Sequence, residues 1–240
     1  MNILSIGNSF SEDATRYLSK IADADGVKIT SVNLMLGGCS LSRHYRNMLM
    51  DSREYFLEYN GEDTGFKISL KEALTSREWD VVTLQQVSQE SITYDTYQPY
   101  LGELSKYVKK MAPKAKQVIH QTWAYEGGSK RLCEELRYNI PDDMFNDIKR
   151  AYACAAKDIG AELIIPSGEM FQRLIDNGMS VHRDTFHASL GLGRYALGLL
   201  WYVKLTGNSV TGNVFWGLDE AIPEENINQV KRIVENFRDK

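Results

Sequence analysis

The feature of this sequence that most constrains its fold is a regular alternation of short apolar runs with longer amphipathic segments. Five runs rich in Val, Ile and Leu are typical of strands, at Asn2–Ile6 and at residues 28–36, 80–85, 117–121 and 162–165. Segments with apolar residues at every third or fourth position lie between them, at residues 12–24, 101–110 and 142–159. Strands that alternate with helices indicate parallel pairing through right-handed crossovers.

This pattern predicts an α/β fold, a three-layer α/β/α doubly wound domain of the flavodoxin-like type with a five-stranded, mainly parallel sheet. Its 240 residues fit one such domain, so we expect residues 1–240 to form a single unit. Residues 55–69 indicate a small inserted β-hairpin, either a lid or an edge decoration. The tail, residues 224–240, indicates an amphipathic helix. Ligands in this architecture bind beyond the C-terminal ends of the strands.

The composition excludes several classes of protein. Apolar residues make up 43% of the chain and charged residues 25%, which is typical of globular domains and not of disordered or fibrous chains. The net charge is -4 without a run of like charges, so neither nucleic acid nor a membrane is an expected partner. The three cysteines form no closely spaced pair, and the first residues lack a secretory leader, so we expect reduced thiols and a cytoplasmic protein.

The first predicted strand ends in a polar sequence that can hold a nucleophile. G-N-S-F-S at residues 7–11 lies between this strand and the next predicted helix. A helix N-terminus supplies a positive field and free backbone N–H groups, and Ser9 is therefore a candidate nucleophile. The alternative is that Ser9 caps the helix, with Glu12 completing a capping box three residues later.

A second polar sequence, D-T-F-H at residues 184–187, precedes the last long helical segments. A neutral histidine can accept a proton from a hydroxyl near physiological pH, since it titrates at about 6.5 when unperturbed. Asp184 can turn back to accept the Nδ1 proton of His187, which leaves Nε2 for the nucleophile. The alternative is a solvated aspartate beside a half-buried histidine.

Together, G-N-S-F-S and D-T-F-H resemble the motifs of the SGNH, or GDSL-type, hydrolases. The resemblance spans the whole chain, and it implies a flavodoxin-like fold and the hydrolysis of esters, often acetyl groups on carbohydrates, by a serine nucleophile. It assigns the roles of nucleophile, base and orienting acid to Ser9, His187 and Asp184. The usual G-D-S of that superfamily is G-N-S here, which keeps the nucleophile and changes its neighbour.

The resemblance also implies an oxyanion hole made of the serine N–H, a glycine N–H after the second strand and an asparagine side chain after the third. Gly37 and Gly38 follow the second predicted strand, and we favour Gly38 as the donor, with a plain turn as the alternative. The third strand continues as Q-Q-V-S-Q-E at residues 85–90, where the superfamily has G-x-N-D. A glutamine carboxamide offers the same N–H donor, and we favour Gln86 over Gln89.

Two aromatic residues, Trp123 and Tyr125, directly follow the fourth predicted strand. Flat rings at this edge of the sheet can stack on a sugar or shield an acyl group. We therefore expect Trp123, Tyr125 and Gln89 to contact the substrate. Core packing is the alternative for Trp123.

Other patterns do not favour a cofactor. G-L-G-R-Y-A at residues 191–196 matches a dinucleotide-binding pattern, but it lies in a helical stretch and follows no strand, so close helix packing is the better interpretation. His44 and His120 lack the clustered ligands that a metal site needs. We expect neither a cofactor nor a metal.

These observations predict a serine esterase that acts on small acyl esters, with an acetylated carbohydrate as the first candidate substrate and an acyl-enzyme intermediate. Two alternatives stay open. One is a thioesterase or lysophospholipase with the same three residues. The other is a carbohydrate-binding protein that keeps the fold without the reaction, an interpretation favoured by the departures at Asn8 and at the glutamines.

Overall fold

The computed structural model describes residues 1–238 and has an α/β fold. Within these residues, seven strands form one sheet: β1 (Asn2–Ile6), β2 (Thr30–Met35), β3 (Tyr55–Tyr59), β4 (Glu62–Ile68), β5 (Val81–Leu84), β6 (Lys116–His120) and β7 (Leu163–Ile165). Their order across the sheet is β4-β3-β2-β1-β5-β6-β7. The pairs along β2-β1-β5-β6-β7 are parallel, and the pairs of β3 with β2 and with β4 are antiparallel.

The prediction of a five-stranded sheet is wrong, because the hairpin β3–β4 extends the parallel sheet at one edge. The hairpin turns at Asn60 and Gly61, which both have positive φ, as a tight two-residue hairpin turn requires. In the β2–β3 register, Met35 pairs with Phe56 and Val32 with Tyr59, so β3 runs toward the N-terminal end of β2. The turn therefore lies at the opposite end of the sheet from the candidate site, and the hairpin is an edge and not a lid.

Helices cover both faces of the sheet. The first group packs around α8 and contains α1 (Ser9–Thr15), α2 (Leu18–Ala24), α7 (Ser167–Asp176), α8 (Leu192–Thr206) and α9 (Glu224–Glu235). The second group packs around α5 and contains α3 (Leu41–Met50), α4 (Leu70–Thr75), α5 (Tyr100–Met111) and α6 (Pro141–Ile159). The helix predicted for residues 224–240 ends at Glu235, and residues 239 and 240 lie outside the described residues.

Helix α8 is buried along most of its length between neighbouring helices. Its glycines permit this close packing. A Cβ at Gly193 would lie 2.6 Å from the carbonyl oxygen of Val181, and one at Gly198 would lie 2.8 Å from the side chain of Ile21. Gly193 of the pattern at residues 191–196 therefore allows the start of α8 to pack closely against a loop, and the close contact with another helix is made by Gly198, outside that pattern. No helix within residues 1–238 is both long and apolar enough to cross a membrane.

Strand β1 occupies the centre of the sheet, and the candidate site lies at its C-terminal end. Ile6 pairs with Leu34 of β2 on one side and with Leu84 of β5 on the other. The chain goes from β1 to one neighbour and later crosses to the other, so the order of the strands reverses here. Such a reversal leaves a crevice between the loops that follow the strands.

Candidate active site

Ser9 is the first residue of α1, directly beyond the C-terminal end of β1. Asn8, and not Ser9, caps this helix: Asn8 Oδ1 accepts a hydrogen bond from the backbone N–H of Phe10 at 3.0 Å. The hydroxyl of Ser11 accepts the backbone N–H of Asn8, also at 3.0 Å, and completes the capping box. The capping interpretation of Ser9 is therefore wrong, and its hydroxyl is available to another partner.

That partner is the imidazole ring of His187. Ser9 Oγ lies 2.9 Å from His187 Nε2, and His187 Nδ1 lies 2.8 Å from Asp184 Oδ2. The backbone N–H of His187 also donates to Asp184 Oδ1 at 2.9 Å. The structure thus brings together the three residues that the two polar sequences single out, in the order hydroxyl, imidazole, carboxylate.

The charge state of Asp184 suits this arrangement. Burial acts to raise the pKa of its carboxyl, but the hydrogen bonds from the His187 ring and backbone outweigh burial and hold the pKa below its usual value. The carboxylate is thus ionised at neutral pH and accepts the proton on His187 Nδ1. With its proton on Nδ1, the neutral ring presents a lone pair at Nε2 to the hydroxyl of Ser9.

Asp13 holds the D-T-F-H loop against helix α1. Its side chain is completely buried and lies about one helical turn after Ser9. Asp13 Oδ2 accepts the backbone N–H of Ala188 at 3.0 Å, and Oδ1 accepts hydrogen bonds from Arg183 at 2.8 Å and Arg194 at 2.7 Å. Because Arg183 and Ala188 flank the loop on its two sides, one carboxylate joins the loop to the helix that begins at Ser9.

The other side of the loop is bound to the segment that follows β6. The backbone N–H of Glu126 donates to the carbonyl of Thr185 at 2.7 Å, and Trp123 Nε1 donates to the carbonyl of Phe186 at 2.8 Å. Thr185 has a φ of 75°, a left-handed conformation that β-branched residues rarely adopt. These hydrogen bonds help to hold the strained backbone in place.

The carboxamide of Asn8 connects the ends of four strands. Its Oδ1 accepts from Gln85 Nε2 at 2.8 Å, and its Nδ2 donates to the carbonyl of Cys39 at 3.1 Å. Gln85 Oε1 lies 2.7 Å from Nδ1 of His120 at the end of β6. Burial lowers the pKa of His120 to about 3, so its ring is neutral and Nδ1–H donates. An aspartate at position 8 would have no side-chain N–H to donate to the carbonyl of Cys39.

Two backbone N–H groups of residues that line the pocket, those of Ser9 and Gly38, are without an acceptor in the described part of the chain. Within residues 1–238, neither the N–H of Ser9 nor that of Gly38 makes a hydrogen bond. Gly37 and Gly38 both line the pocket described below, and Gly38 has a φ of +62°. A Cβ at either glycine would meet no atom within 4 Å, so the loop leaves open space above its backbone.

The two candidate glutamines have different surroundings. Gln86 is fully buried: its Oε1 accepts the backbone N–H groups of Leu41 and Val87, each at 2.9 Å, and its Nε2 donates to the carbonyl of Thr96 at 3.1 Å. Gln86 does not line the pocket, and the prediction that it donates to an oxyanion is wrong because its carboxamide fixes neighbouring backbone. Gln89 is exposed and lines the pocket, and its side chain makes no hydrogen bond within the described chain.

The two aromatic candidates, Trp123 and Tyr125, also differ in their surroundings. Trp123 is fully buried, with its ring stacked on Phe10 at 4.1 Å between centroids. The prediction that Trp123 contacts substrate is therefore wrong, since its ring turns into the core and its N–H is used by the D-T-F-H loop. Tyr125 does line the pocket, and its hydroxyl lies 2.8 Å from Ser88 Oγ.

The pocket has a volume of about 470 Å³ and includes Ser9 and His187 in its wall. Several lining residues were missed from the sequence: Phe10, Val87, Ser88, Arg131, Glu135, Leu136 and Phe186. Phe10 and Phe186 are direct neighbours of the candidate nucleophile and base, and that adjacency was the available signal. Arg131 and Glu135 belong to a π-helical turn at Arg131–Glu135, where the sequence has no periodic pattern.

The remaining isolated histidines have structural surroundings. His44 is fully buried, with Nδ1 at 2.9 Å from the hydroxyl of Tyr55. His120 belongs to the hydrogen-bond chain of Asn8. Among residues 1–238, no group of three or more His, Cys, Asp or Glu side chains is arranged to hold a metal ion.

The Asp13 carboxylate gives a prediction about stability. Replacing it in Asp13→Asn leaves two arginines without their buried counter-charge, and we expect the free energy of unfolding to fall by about 3–5 kcal/mol in urea denaturation. Glu62→Gln is the matched control, because Glu62 pairs with Arg16 in the same ion-pair network but is 58% exposed. It should cost less than about 1 kcal/mol. An equal decrease in the free energy of unfolding in the two variants would contradict the role of Asp13 as the buried counter-charge of the two arginines.

Comparisons with known proteins place the chain in a family. The model of a domain of unknown function, DUF4886, matches residues 2–231. A DUF4886 family protein from Bacteroides uniformis is 31% identical, with a TM-score of 0.88, and the match covers 98% of this chain and 93% of that one.

Two further solved structures are similar. A protein from Slackia heliotrinireducens, described as a candidate SGNH hydrolase, is 26% identical over 85% of this chain and 98% of that one, with a TM-score of 0.62. An acetylxylan esterase from Geobacillus stearothermophilus shares the fold, at 14% identity over 85% of this chain and 94% of that one, with a TM-score of 0.55. No curated protein matches the sequence. The chain belongs to the DUF4886 family, and its fold is that of SGNH-type hydrolases.

Proposed function

We propose that this protein is an SGNH-type hydrolase of carboxylic esters, with Ser9 as the nucleophile, His187 as the general base and Asp184 as the residue that orients the base. The observation that carries the proposal is the 2.9 Å contact between Ser9 Oγ and His187 Nε2, with Asp184 2.8 Å behind the ring. A hydroxyl, an imidazole and a carboxylate in this order form the arrangement that activates serine in unrelated hydrolases.

In the first half of the reaction, Ser9 Oγ attacks the carbonyl carbon of the ester while His187 Nε2 removes the hydroxyl proton. The tetrahedral intermediate then loses its alcohol, which takes that proton from His187, and the acyl group remains on Ser9. Asp184 keeps Nδ1 protonated and stabilises the imidazolium that forms in between.

In the second half, a water molecule replaces the alcohol. His187 Nε2 takes a proton from the water as the water oxygen attacks the acyl carbon. The intermediate then releases the acid, and the proton returns from His187 to Ser9 Oγ. The enzyme ends in its starting state, and one ester and one water have become one acid and one alcohol.

The negative charge that develops on the carbonyl oxygen needs hydrogen-bond donors. We assign the backbone N–H groups of Ser9 and Gly38 to this role, because neither makes a hydrogen bond within the described chain. We assign the third donor to the carboxamide of Gln89, which lines the pocket without an internal partner. A glutamine carboxamide provides the same N–H group as the asparagine of the wider superfamily.

We further propose that the substrate is a small acyl ester, with an acetylated carbohydrate as the first candidate. The pocket volume of about 470 Å³ is in the range of small-molecule sites. Its wall includes polar groups: the carboxamide of Gln89 is exposed and can bind hydroxyls, and behind it the buried hydroxyls of Ser88 and Tyr125 bond to each other. The similar fold of acetylxylan esterases supports the acetyl group by analogy.

The nucleophile is tested with a fluorophosphonate, which bonds to an activated serine with loss of fluoride. We expect one label per wild-type chain, on Ser9, and no label and no ester hydrolysis in Ser9→Ala. Ser42→Ala is the matched control, because Ser42 is a serine of α3 outside the pocket, and this variant should be labelled like the wild type. Folded wild-type protein that stays unlabelled would contradict the proposal and favour a binding protein.

The side-chain donor is tested by comparing the two glutamines. We expect Gln89→Ala to lower kcat about 10²–10³-fold, the usual cost of one oxyanion donor, with an unchanged thermal transition. Gln86→Ala removes a buried carboxamide that binds three backbone groups, so its main effect should be a lower melting temperature. Turnover that is insensitive to Gln89→Ala would show that the two backbone groups act without a side-chain donor.

A further inference from the structure

Arg131 supplies the positive charge in the wall of the pocket. It begins the π-helical turn at Arg131–Glu135, and of the pocket residues in the described chain it is the one lysine or arginine. Glu135 at the end of the same turn also lines the pocket. The two side chains do not form an ion pair.

The guanidinium of Arg131 is held by an aromatic ring next to the proposed base. Its central carbon lies 4.0 Å from the centroid of the Phe186 ring. The Phe186 ring lies 3.9 Å from the ring of His187, and its backbone carbonyl accepts a hydrogen bond from buried Trp123. Arg131 is therefore linked to Ser9 through the rings of Phe186 and His187, the second of which is hydrogen-bonded to Ser9 Oγ.

Arg131 differs from the other arginines near the site because it has no acidic partner. Arg183 and Arg194 bind buried Asp13, and Arg16 binds Asp219. No carboxylate within residues 1–238 lies at ion-pair distance from Arg131. Arg131 does interact with the hydroxyl of Tyr125: burial raises the pKa of this phenol, and the hydrogen bond with Ser88 and the charge of Arg131 act in the opposite direction.

We propose that Arg131 forms a carboxylate-binding subsite, so that the preferred substrate is an ester that carries a carboxylate a few bonds from the scissile carbonyl. This inference rests on the proposed function. It adds a property that neither the family nor the neighbouring structures assign, namely selection of an acidic ester over a neutral one. Arg131 is then a specificity residue, which contacts the substrate outside the reacting bond.

The chemistry of the guanidinium supports a carboxylate in particular. Its stacked face is covered by Phe186, whereas the N–H groups around its edge stay in the plane and can bind two oxygens at once. A carboxylate has the matching pair of acceptors. The Tyr125 hydroxyl, which bonds to Ser88, provides a further polar group at the same wall.

The test compares acidic esters with their neutral counterparts. One pair is p-nitrophenyl succinate and p-nitrophenyl methyl succinate, which places the charge on the acyl side. The other is 4-acetoxybenzoate and its methyl ester, which places it on the alcohol side. We expect wild type to prefer the acidic member of at least one pair in kcat/KM, and Arg131→Gln to lower that acid-to-neutral ratio about 10–100-fold, the usual effect of a charge-assisted hydrogen bond.

Lys130→Gln is the matched control. It removes the same charge from the adjacent exposed residue, which does not line the pocket, so it reports the general electrostatic attraction of an acidic substrate. We expect its acid-to-neutral ratio to equal that of the wild type. An Arg131→Gln ratio equal to the wild-type ratio, or an equal decrease in both variants, would overturn the subsite.

Labelling of Ser9 distinguishes a failure of the carboxylate subsite from a failure of the proposed esterase function. If the fluorophosphonate labels Ser9 and the neutral esters are hydrolysed, but no acidic ester is preferred, then the carboxylate subsite is wrong and the esterase stands. If Ser9 is neither labelled nor needed for hydrolysis, the proposed function itself is wrong. Protection of Ser9 from labelling by succinate in wild type, and its loss in Arg131→Gln, supports the subsite without relying on turnover.

Discussion

The buried carboxylate of Asp13 is the interaction on which the site depends. Ser9 and His187 are 178 residues apart in the chain, yet their side chains must meet at hydrogen-bond distance. Asp13 secures this by binding Ala188 and Arg183 on the two sides of the His187 loop, from a position one turn along the helix that Ser9 begins. A buried charge is costly unless it is paired, and here two arginines and a backbone N–H satisfy it.

A second network fixes the loops around Ser9. The chain of hydrogen bonds from His120 through Gln85 and Asn8 to Cys39 crosses the C-terminal ends of four strands. Each carboxamide in it both donates and accepts, so an asparagine at position 8 fits where a carboxylate would lose a donor. The departure from the G-D-S motif thus has a structural reason.

Much of the fold follows from local pattern in the sequence. The five apolar runs all became strands of the parallel part of the sheet, and the strong periodicity of residues 142–159 became helix α6. The strand count was wrong because pairing of the hairpin with β2 is a tertiary contact that periodicity does not report. Ser9, Asp184 and His187 were singled out because they belong to two short polar motifs, and the structure brings their side chains together.

The errors at the site have one physical cause. Position after a strand shows that a residue lies near the edge of the sheet, but it does not show whether the side chain turns outward or inward. Gln86 and Trp123 turn inward and satisfy backbone groups or pack in the core, whereas Gln89 is exposed at the pocket. Tyr125 is buried, but it contributes to the pocket wall. Arg131 comes from a turn without periodic pattern, so only the folded chain places it beside Phe186.

The most direct test of the central claim is to trap the acyl-enzyme. Wild-type protein is mixed rapidly with p-nitrophenyl acetate, whose good leaving group makes deacylation the slower step, and the reaction is quenched in acid within the first turnover. Mass spectrometry of the peptides should find the acetyl group on Ser9, in an amount that matches the initial burst of p-nitrophenol. Steady hydrolysis with no acetyl group on Ser9 at any time would contradict the account.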